Sequence, residues 1–159
     1  MQTIILETQI AAPPERCFLL SLNIDLHMAG SGERAIGGVT HGIIGPGQTV
    51  TWQGRHFGMS IAHQSLIARY ERPHHFQDVM VKGMFRSFAH DHFFEQKEDG
   101  GTRMRDELRF SAPLGLLGGI AERLVLRRYL TRFLRERNGM IRRTAEDRDL
   151  AWQLYLKDS

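Results

Sequence analysis

Hydrophobic and polar residues alternate most regularly between residues 102 and 110. One face of this segment carries Thr102, Met104, Asp106, Leu108 and Phe110, and the opposite face carries Arg103, Arg105, Glu107 and Arg109. A period of two predicts a β-strand with one buried face. Asp106 therefore points into the interior among apolar neighbours, where a carboxylate needs a polar partner.

The segment before this strand supplies candidate partners for Asp106. Phe88, His90, His92 and Phe94 share one face of a second strand predicted at residues 85–96, and the sequence EDGG at 98–101 is typical of a hairpin turn between the two strands. Opposite residues in an antiparallel pair lie about 5 Å apart, so His90 or His92 can reach Asp106. An inward face that mixes large apolar and titratable residues is typical of a sheet that lines an internal pocket.

The remaining pattern predicts one strand before a pair of short helices and several strands after them. Residues 4–10 alternate as a strand, the sequence APPE at 12–15 starts a short helix, and residues 24–28 add a further helical turn. Irregularly spaced glycines between residues 30 and 47 favour short strands and turns over a nucleotide-binding loop. Strands follow at 49–57, 61–70, 75–82, 85–96 and 102–112, and their short connections predict an antiparallel meander.

After Pro113 the apolar residues change to helical spacing. Leu126, Tyr129, Leu130, Phe133, Met140 and Ile141 predict a long amphipathic helix, which the pair Asn138-Gly139 is expected to kink or end early. The element order predicts an α+β fold in which a curved antiparallel sheet of six or seven strands wraps around this C-terminal helix. We expect one domain over residues 1–145 and a C-terminal extension over 146–159.

Five segments carry a pattern that resembles a known superfamily: IAAPPERCF at 10–18, VTWQGRHFG at 50–58, RPHHFQD at 72–78, GMFRSFAHDHFFE at 83–95 and GGTRMRD at 100–106. The chain resembles the START-related SRPBCC superfamily, the polyketide cyclase/dehydrase-like or Bet v 1-like helix-grip proteins. The resemblance implies a helix-grip fold with a cavity between sheet and helix. It also implies binding of lipids, polyketides, hormones or quinone-like molecules, and some members are cyclases or hydrolases. The superfamily shares no catalytic residues, so the resemblance assigns none here.

The strand patterns give a set of candidate ligand-binding residues. We predict that the protein binds a small hydrophobic or amphipathic ligand, such as a lipid, a polyketide or a quinone-like molecule. The alternative is a cyclase, dehydratase or hydrolase in which a pair formed by His90 or His92 with Asp106 acts as base or acid. The candidate residues are Trp52, His56, Asp78, Phe88, His90, His92, Met104 and Asp106.

Other chemistry has weaker support in the sequence. The pattern His90-x-His92 places two imidazoles on one strand face, where Asp106 or His56 would complete a metal site, but this spacing is no specific signature. We expect no metal and no other cofactor. His63, His74 and His75 are expected at the surface or in loops, and the single cysteine, Cys17, excludes an internal disulfide.

The 159 residues carry a formal net charge of +3, and the basic residues cluster in the predicted helix. Between residues 123 and 143 there are eight arginines and one acidic residue, Glu136. A solvated helix face explains this better than a nucleic-acid site, although a macromolecular interaction module stays an alternative. Apolar residues in the extension, such as Trp152 and Tyr155, either fold back or support a homodimer. With no signal peptide and no membrane span in the sequence, we expect a cytoplasmic protein.

Overall fold

A computed structural model describes residues 1–56, 58–111 and 120–157 of the chain. Within these residues the chain forms seven strands and four helices. In chain order they are β1 (Gln2–Ile10), α1 (Pro14–Ser21), α2 (Ile24–Ser31), β2 (Arg34–Gly38), β3 (Thr49–His56), β4 (Met59–Glu71), β5 (His75–Lys82), β6 (Ser87–Gln96), β7 (Thr102–Ser111), α3 (Ile120–Ala145) and α4 (Trp152–Leu156).

All seven strands form one curved antiparallel sheet in the order β1-β7-β6-β5-β4-β3-β2. Strands β2 to β7 follow one another as a meander, and β1 closes the order by pairing with β7. The register sets His92 opposite Asp106 across β6 and β7, and His90 opposite Asp78 across β5 and β6. The predicted α+β architecture, with its antiparallel meander, is confirmed.

The two predicted short helices follow β1, and local sequence explains their ends. Pro14 occupies the first turn of α1 together with Glu15, where a fixed φ and an acidic side chain suit a helix N-terminus. The side chain of Asn23 caps α2 by accepting a hydrogen bond of 2.8 Å from the backbone N–H of Leu26. Gly32 then ends α2 in the left-handed conformation, at φ 71°.

Helix α3 runs through Asn138 and Gly139 without ending, so the expectation of an early end there is wrong, and a kink at this pair stays a prediction. The side chain of Asn138 is buried, and its amide donates to Oδ2 of Asp106 at 2.6 Å and to Thr8 Oγ1 at 3.2 Å. These tertiary hydrogen bonds occupy the group that would otherwise compete with the helical backbone. Residues 112–119 lie outside the described residues, and so do the predicted end of the last strand and the predicted start of this helix.

Most of the described arginine side chains of α3 are exposed, whereas Arg137 keeps only 12% of its side chain accessible. Several of the exposed arginines bind within the chain. Arg127 donates to the backbone oxygen of Thr3 at 2.6 Å, while Arg132 and Arg142 each pair with an acid one helical turn further on. A basic helix face that interacts with a macromolecule stays a prediction. None of the described helices is both long enough and apolar enough to cross a membrane.

The buried side chains form two hydrophobic clusters. In the first, Phe18 of α1 makes edge-to-face contacts with Tyr70, Phe76 and Phe94, with ring centroids 5.2–5.5 Å apart. The second joins α3 to β1 and β7 through Ile4, Leu108, Phe110, Leu126, Leu130 and Leu134. The clusters remain separate, and residues from both line a cavity between them.

The described part of the C-terminal extension folds back onto α1. Trp152, Tyr155 and Leu156 pack against the first cluster, and the guanidinium of Arg16 lies 4.0 Å from the centre of the Trp152 indole. The side-chain amide of Asn23 donates to the backbone oxygen of Tyr155 at 2.8 Å. These contacts account for Trp152, Tyr155 and Leu156, while a homodimer stays a prediction.

We predict that Trp152→Ala lowers the free energy of unfolding by about 2 kcal/mol, because it removes both the packing and the cation–π contact with Arg16. Urea denaturation would measure the change. The control is Leu154→Ala in the same helix. Leu154 is 69% exposed, so its replacement should lower the free energy of unfolding by less than about 0.5 kcal/mol. Equal losses in the two variants would show that α4 is not anchored through Trp152.

Candidate functional site

The sheet and α3 enclose a cavity of about 160 Å³. By the same measure a single water needs about 10–15 Å³, so the space is large enough for a small organic molecule. The walls are formed by the inward faces of β3 to β7 together with α2 and α3. Most of the lining is apolar and includes Trp52, Ile67, Phe76, Phe88, Leu130 and Phe133.

One polar group in the wall is centred on Glu33, the residue between α2 and β2. Its Oε2 lies 2.8 Å from His27 Nε2, and its Oε1 lies 3.0 Å from His56 Nε2 and 3.9 Å from His63 Nδ1. The other ring nitrogen of His56, Nδ1, is 2.5 Å from the hydroxyl of Tyr129. We call His27, Glu33, His56, His63 and Tyr129 the Glu33 cluster. It joins α2, β3 and β4 to α3.

The electrostatics of this cluster fix its hydrogen bonds. Burial alone would raise the pKa of Glu33, but hydrogen bonds from His27 and His56 outweigh it and lower the pKa to about 2. Burial raises the pKa of Tyr129, so the phenol keeps its proton. The ionised Glu33 accepts from Nε2–H of His56 and the phenol donates to Nδ1, so both ring nitrogens of His56 have a hydrogen-bond partner.

A second polar group lies on the inner face of β5, β6 and β7. His90 Nε2 is 2.8 Å from Oδ1 of Asp106, and His92 Nε2 is 2.9 Å from Oδ2 of Asp78. Asn138 donates to Oδ2 of Asp106, and Nη1 of Arg137 lies 3.7 Å from its Oδ1. We call Asp78, His90, His92, Asp106, Arg137 and Asn138 the Asp106 cluster.

The carboxylates of this cluster are ionised in spite of their burial. Burial acts to raise the pKa of Asp106, yet its interactions with His90 and His92 hold it well below the usual range. The pKa of Asp78 is lowered in the same way, against burial, by its hydrogen bond with His92 and the charge of His90. Burial and the neighbouring His92 lower the pKa of His90. The cluster thus combines two carboxylates and two imidazoles at the wall of an apolar cavity.

The structure brings most of the sequence-predicted site residues to this cavity, but two of them do not line it. Trp52, His56, Asp78, Phe88, His90 and His92 all lie in the wall. Met104 has no exposed surface and packs beneath α1, with its sulfur 3.9 Å from Ser21 Oγ. Asp106 is equally buried and lies behind His90 and His92. Met104 and Asp106 face the expected side of the sheet but lie behind the cavity wall, because alternation gives the face of a residue and not its depth.

Sequence reasoning missed several polar residues of the cavity. Glu33 lies in the glycine-rich stretch, where no periodicity marked it, and His27 lies on a helix too short to show a clear apolar face. His63, expected at the surface, lines the cavity from β4. Tyr129 had a usable signal, since it falls on the apolar stripe of α3 with a hydroxyl that needs an interior partner.

A third histidine–carboxylate pair lies on the outer face of the sheet, away from the cavity. His75, expected at the surface, is 9% exposed, and its Nε2 lies 2.8 Å from Oδ1 of Asp91. Asp91 also accepts from Gln77 at 2.9 Å and from Arg109. Side chains from β5 and β7 therefore cover an outward-facing aspartate so well that it is buried.

No family model and no curated protein matches the sequence, but the fold has solved counterparts. The protein TTHA0849 from Thermus thermophilus superposes with a TM-score of 0.69 at 16% identity, over 88% of this chain and 97% of that one. A START superfamily protein from Mycobacterium smegmatis gives 0.65 at 10% identity, over 87% and 96%. The major latex-like protein 151 of Panax ginseng gives 0.59 at 13% identity, over 87% and 95%.

The chain therefore has the START-related, Bet v 1-like helix-grip fold that its sequence pattern resembles. Because all three identities are low, the likeness shows the fold and assigns neither a ligand nor a reaction.

The lowered pKa of Glu33 predicts a loss of stability in acid. Glu33 ionises near pH 2 in the folded protein and near 4.5 in the unfolded chain, so its contribution is present above about pH 4.5 and lost as the pH falls toward 2. The shift corresponds to on the order of 3 kcal/mol. We expect Glu33→Gln to be less stable at pH 7 and to lose less stability between pH 5 and 2, as measured by urea denaturation.

The matched control for this prediction is Glu95→Gln. Glu95 is 58% exposed and pairs with Arg103 at the surface, so its neutralisation should leave the pH profile close to that of the wild type. A wild-type profile and a Glu33→Gln profile that run parallel from pH 5 to 2 would contradict the role given to Glu33.

Proposed function

We propose that the protein binds a small amphipathic molecule in the cavity between the sheet and α3. The observation that carries this proposal is the cavity of about 160 Å³, with mainly apolar walls and two separate polar groups. This is the usual composition of a small-molecule site, in which apolar surface supplies affinity and a few polar groups fix orientation. A lipid, a polyketide and a quinone-like molecule each combine an apolar body with oxygen atoms and meet this description.

The polar contacts expected for the ligand follow from which side chains still reach the cavity. Asp78 keeps 21% of its side chain accessible, His63 keeps 28%, and His56 keeps 14%. Ionised Asp78 accepts hydrogen bonds, whereas an imidazole with a free nitrogen either donates or accepts. A ligand hydroxyl or carbonyl placed between β4 and β5 therefore finds a partner there, while its apolar part lies against Trp52, Phe88 and Phe133.

The protein purified without detergent tests this proposal by native mass spectrometry. We expect a fraction of the molecules to carry an additional mass, and organic extraction to release an amphipathic compound with that mass. Protein produced in two different hosts separates a selected ligand from an abundant host lipid. If the protein carries no ligand and binds none from lipid, polyketide or quinone collections, the proposal is wrong.

We predict that filling the cavity removes ligand binding without unfolding the protein. Ile61 lines the cavity from β4, so Ile61→Trp places a large ring in the space the ligand needs. Leu66 lies on the same strand, five residues on and therefore on the opposite face, so Leu66→Trp is a matched control. Native mass spectrometry should show the bound compound in the wild type and in Leu66→Trp, and strongly reduced occupancy in Ile61→Trp. Equal occupancy in both variants would place the ligand elsewhere.

The Glu33 cluster favours acid–base catalysis as a second candidate function. His56 Nε2 is held by an ionised carboxylate at 3.0 Å, and its Nδ1 lies 2.5 Å from a protonated phenol. A carboxylate–imidazole–phenol chain at a cavity wall is able to donate a proton through one group and take one up through another. A cyclase or dehydratase reaction on a bound hydroxyl or carbonyl compound would need such groups.

The catalytic candidate is testable with the compound extracted from the protein. Ligand-free protein is mixed with that compound, and mass spectrometry or chromatography follows its conversion. We expect His56→Gln and Tyr129→Phe to retain binding and to abolish conversion, since both substitutions keep most of the side-chain volume. A compound that the wild type returns unchanged would rule out catalysis on that molecule and leave the binding function standing.

A further inference from the structure

We propose that Asp78, His90 and His92 bind one divalent transition-metal ion, with Asp106 as the carboxylate that orients both imidazoles. The proposal goes beyond ligand binding and does not depend on it, because it concerns groups of the chain alone. It also departs from the sequence-based expectation of no metal. Where the sequence offered Asp106 or His56 as the third ligand, the structure places Asp78 in that position.

The three candidate ligand atoms converge on one point at the cavity wall. Oδ2 of Asp78 lies 2.9 Å from His92 Nε2 and 3.8 Å from His90 Nδ1, and the three atoms lie within 4.8 Å of one another. Ligand atoms about 2.0–2.1 Å from a tetrahedral ion are about 3.3 Å apart. The two distances to Asp78 lie on either side of this value, and the distance between the two imidazole nitrogens is at most 4.8 Å.

The hydrogen bonds of His92 indicate that a cation belongs beside Asp78. Both ring nitrogens of His92 face a carboxylate oxygen: Nε2 lies 2.9 Å from Asp78, and Nδ1 lies 3.0 Å from Asp106 without forming an aligned hydrogen bond. A neutral imidazole has one N–H, so one of its nitrogens would direct a lone pair at a carboxylate. A metal ion between Nε2 and Asp78 replaces this repulsion by two coordinate bonds and leaves Nδ1–H 3.0 Å from Asp106.

The same assignment satisfies His90. Its Nε2–H donates to Oδ1 of Asp106 at 2.8 Å, which leaves Nδ1 with a lone pair on the side of Asp78. Asp106 is itself fixed, because Asn138 donates to its Oδ2 at 2.6 Å. A buried carboxylate that holds the second nitrogen of each ligating histidine is the usual support of a protein metal site.

The charge of the cluster also suits a divalent cation. Two carboxylates, Asp78 and Asp106, lie here beside a single guanidinium, that of Arg137. Two imidazoles and one carboxylate suit zinc, iron(II) and their neighbours rather than calcium or magnesium. Since the three ligands all line the cavity, a fourth position is left for water or for an oxygen atom of a bound molecule.

Two other histidine–carboxylate groups of the described chain lack this convergence and serve as controls. In the Glu33 cluster, His27 and His56 contact different oxygens of the same carboxylate, so their nitrogens are separated by it. On the outer face, Asp91 has one histidine partner and also pairs with the guanidinium of Arg109, which would repel a cation. His56→Gln and His75→Gln are therefore matched control variants.

The first experiment titrates tag-free, chelator-treated protein with Zn²⁺ by calorimetry and with Co²⁺ by visible absorption. We expect one ion per chain. X-ray absorption of the Zn²⁺-loaded wild type should show only nitrogen and oxygen neighbours at about 2.0–2.2 Å, with the scattering of about two imidazoles. Absence of binding, or a first shell of oxygen alone, would overturn the proposal.

The second experiment locates the ion with variants. Asp78→Asn and His92→Gln should weaken Zn²⁺ binding by more than about 100-fold, and Asp106→Asn by about 10–100-fold as expected for a supporting carboxylate. His56→Gln and His75→Gln should stay within about threefold of the wild type. The proposal fails if Asp78→Asn and His92→Gln bind as the wild type does, or if His56→Gln removes the ion. If circular dichroism shows that a variant of a proposed ligand does not fold, the X-ray absorption of the Zn²⁺-loaded wild type tests the proposal instead.

Discussion

The ionised carboxylate of Asp106, fully buried on the inner face of the sheet, constrains the rest of the structure. A buried charge without partners costs several kcal/mol, so every group around Asp106 has to be placed to satisfy it. His90 reaches it from β6, and Asn138 and Arg137 reach it from α3. Because Asn138 also donates to Thr8, one carboxylate ties β1, β6, β7 and α3 together. The position of α3 across the sheet is thereby fixed by polar contacts as well as by apolar packing.

This constraint also helps to keep the cavity open. The hydrophobic side chains form two clusters. Residues of the Glu33 cluster and of the Asp106 cluster lie in the cavity wall between them. If the two clusters merged, the part of Asp78 that now reaches the cavity would lose its remaining accessibility, and a carboxylate would be desolvated further. The apolar side chains of the wall bury the carboxylates. The cost of desolvating these carboxylates further opposes closure of the cavity.

The sequence predicted those features that depend on period and on neighbouring strands. Regular alternation around Asp106 gave its orientation, and the short turn before it placed His90 within reach, as the structure shows. Local propensity failed at Asn138, because its tertiary hydrogen bond to Asp106 outweighs its tendency to break a helix. Burial of His75 could not be predicted either, since it depends on covering by Asp91 and by residues of two other strands. Glu33 was missed because a residue between elements belongs to no periodic pattern.

Both polar groups of the cavity combine histidines with carboxylates, and the different spacing of these residues gives the two groups different chemistry. His90 and His92 lie two residues apart on one strand, so their rings are neighbours with centroids 3.7 Å apart. One nitrogen of each ring lies on the side of Asp78 Oδ2. His27 and His56 come from a helix and from a distant strand, and they approach Glu33 from the sides of its two separate oxygens. The first arrangement places two imidazole nitrogens and a carboxylate oxygen near one another, as the proposed metal site requires. The second places a carboxylate between two imidazoles and joins one of them to a phenol, which suits hydrogen bonding and proton movement. A molecule that fills the cavity between them would meet both kinds of group at once.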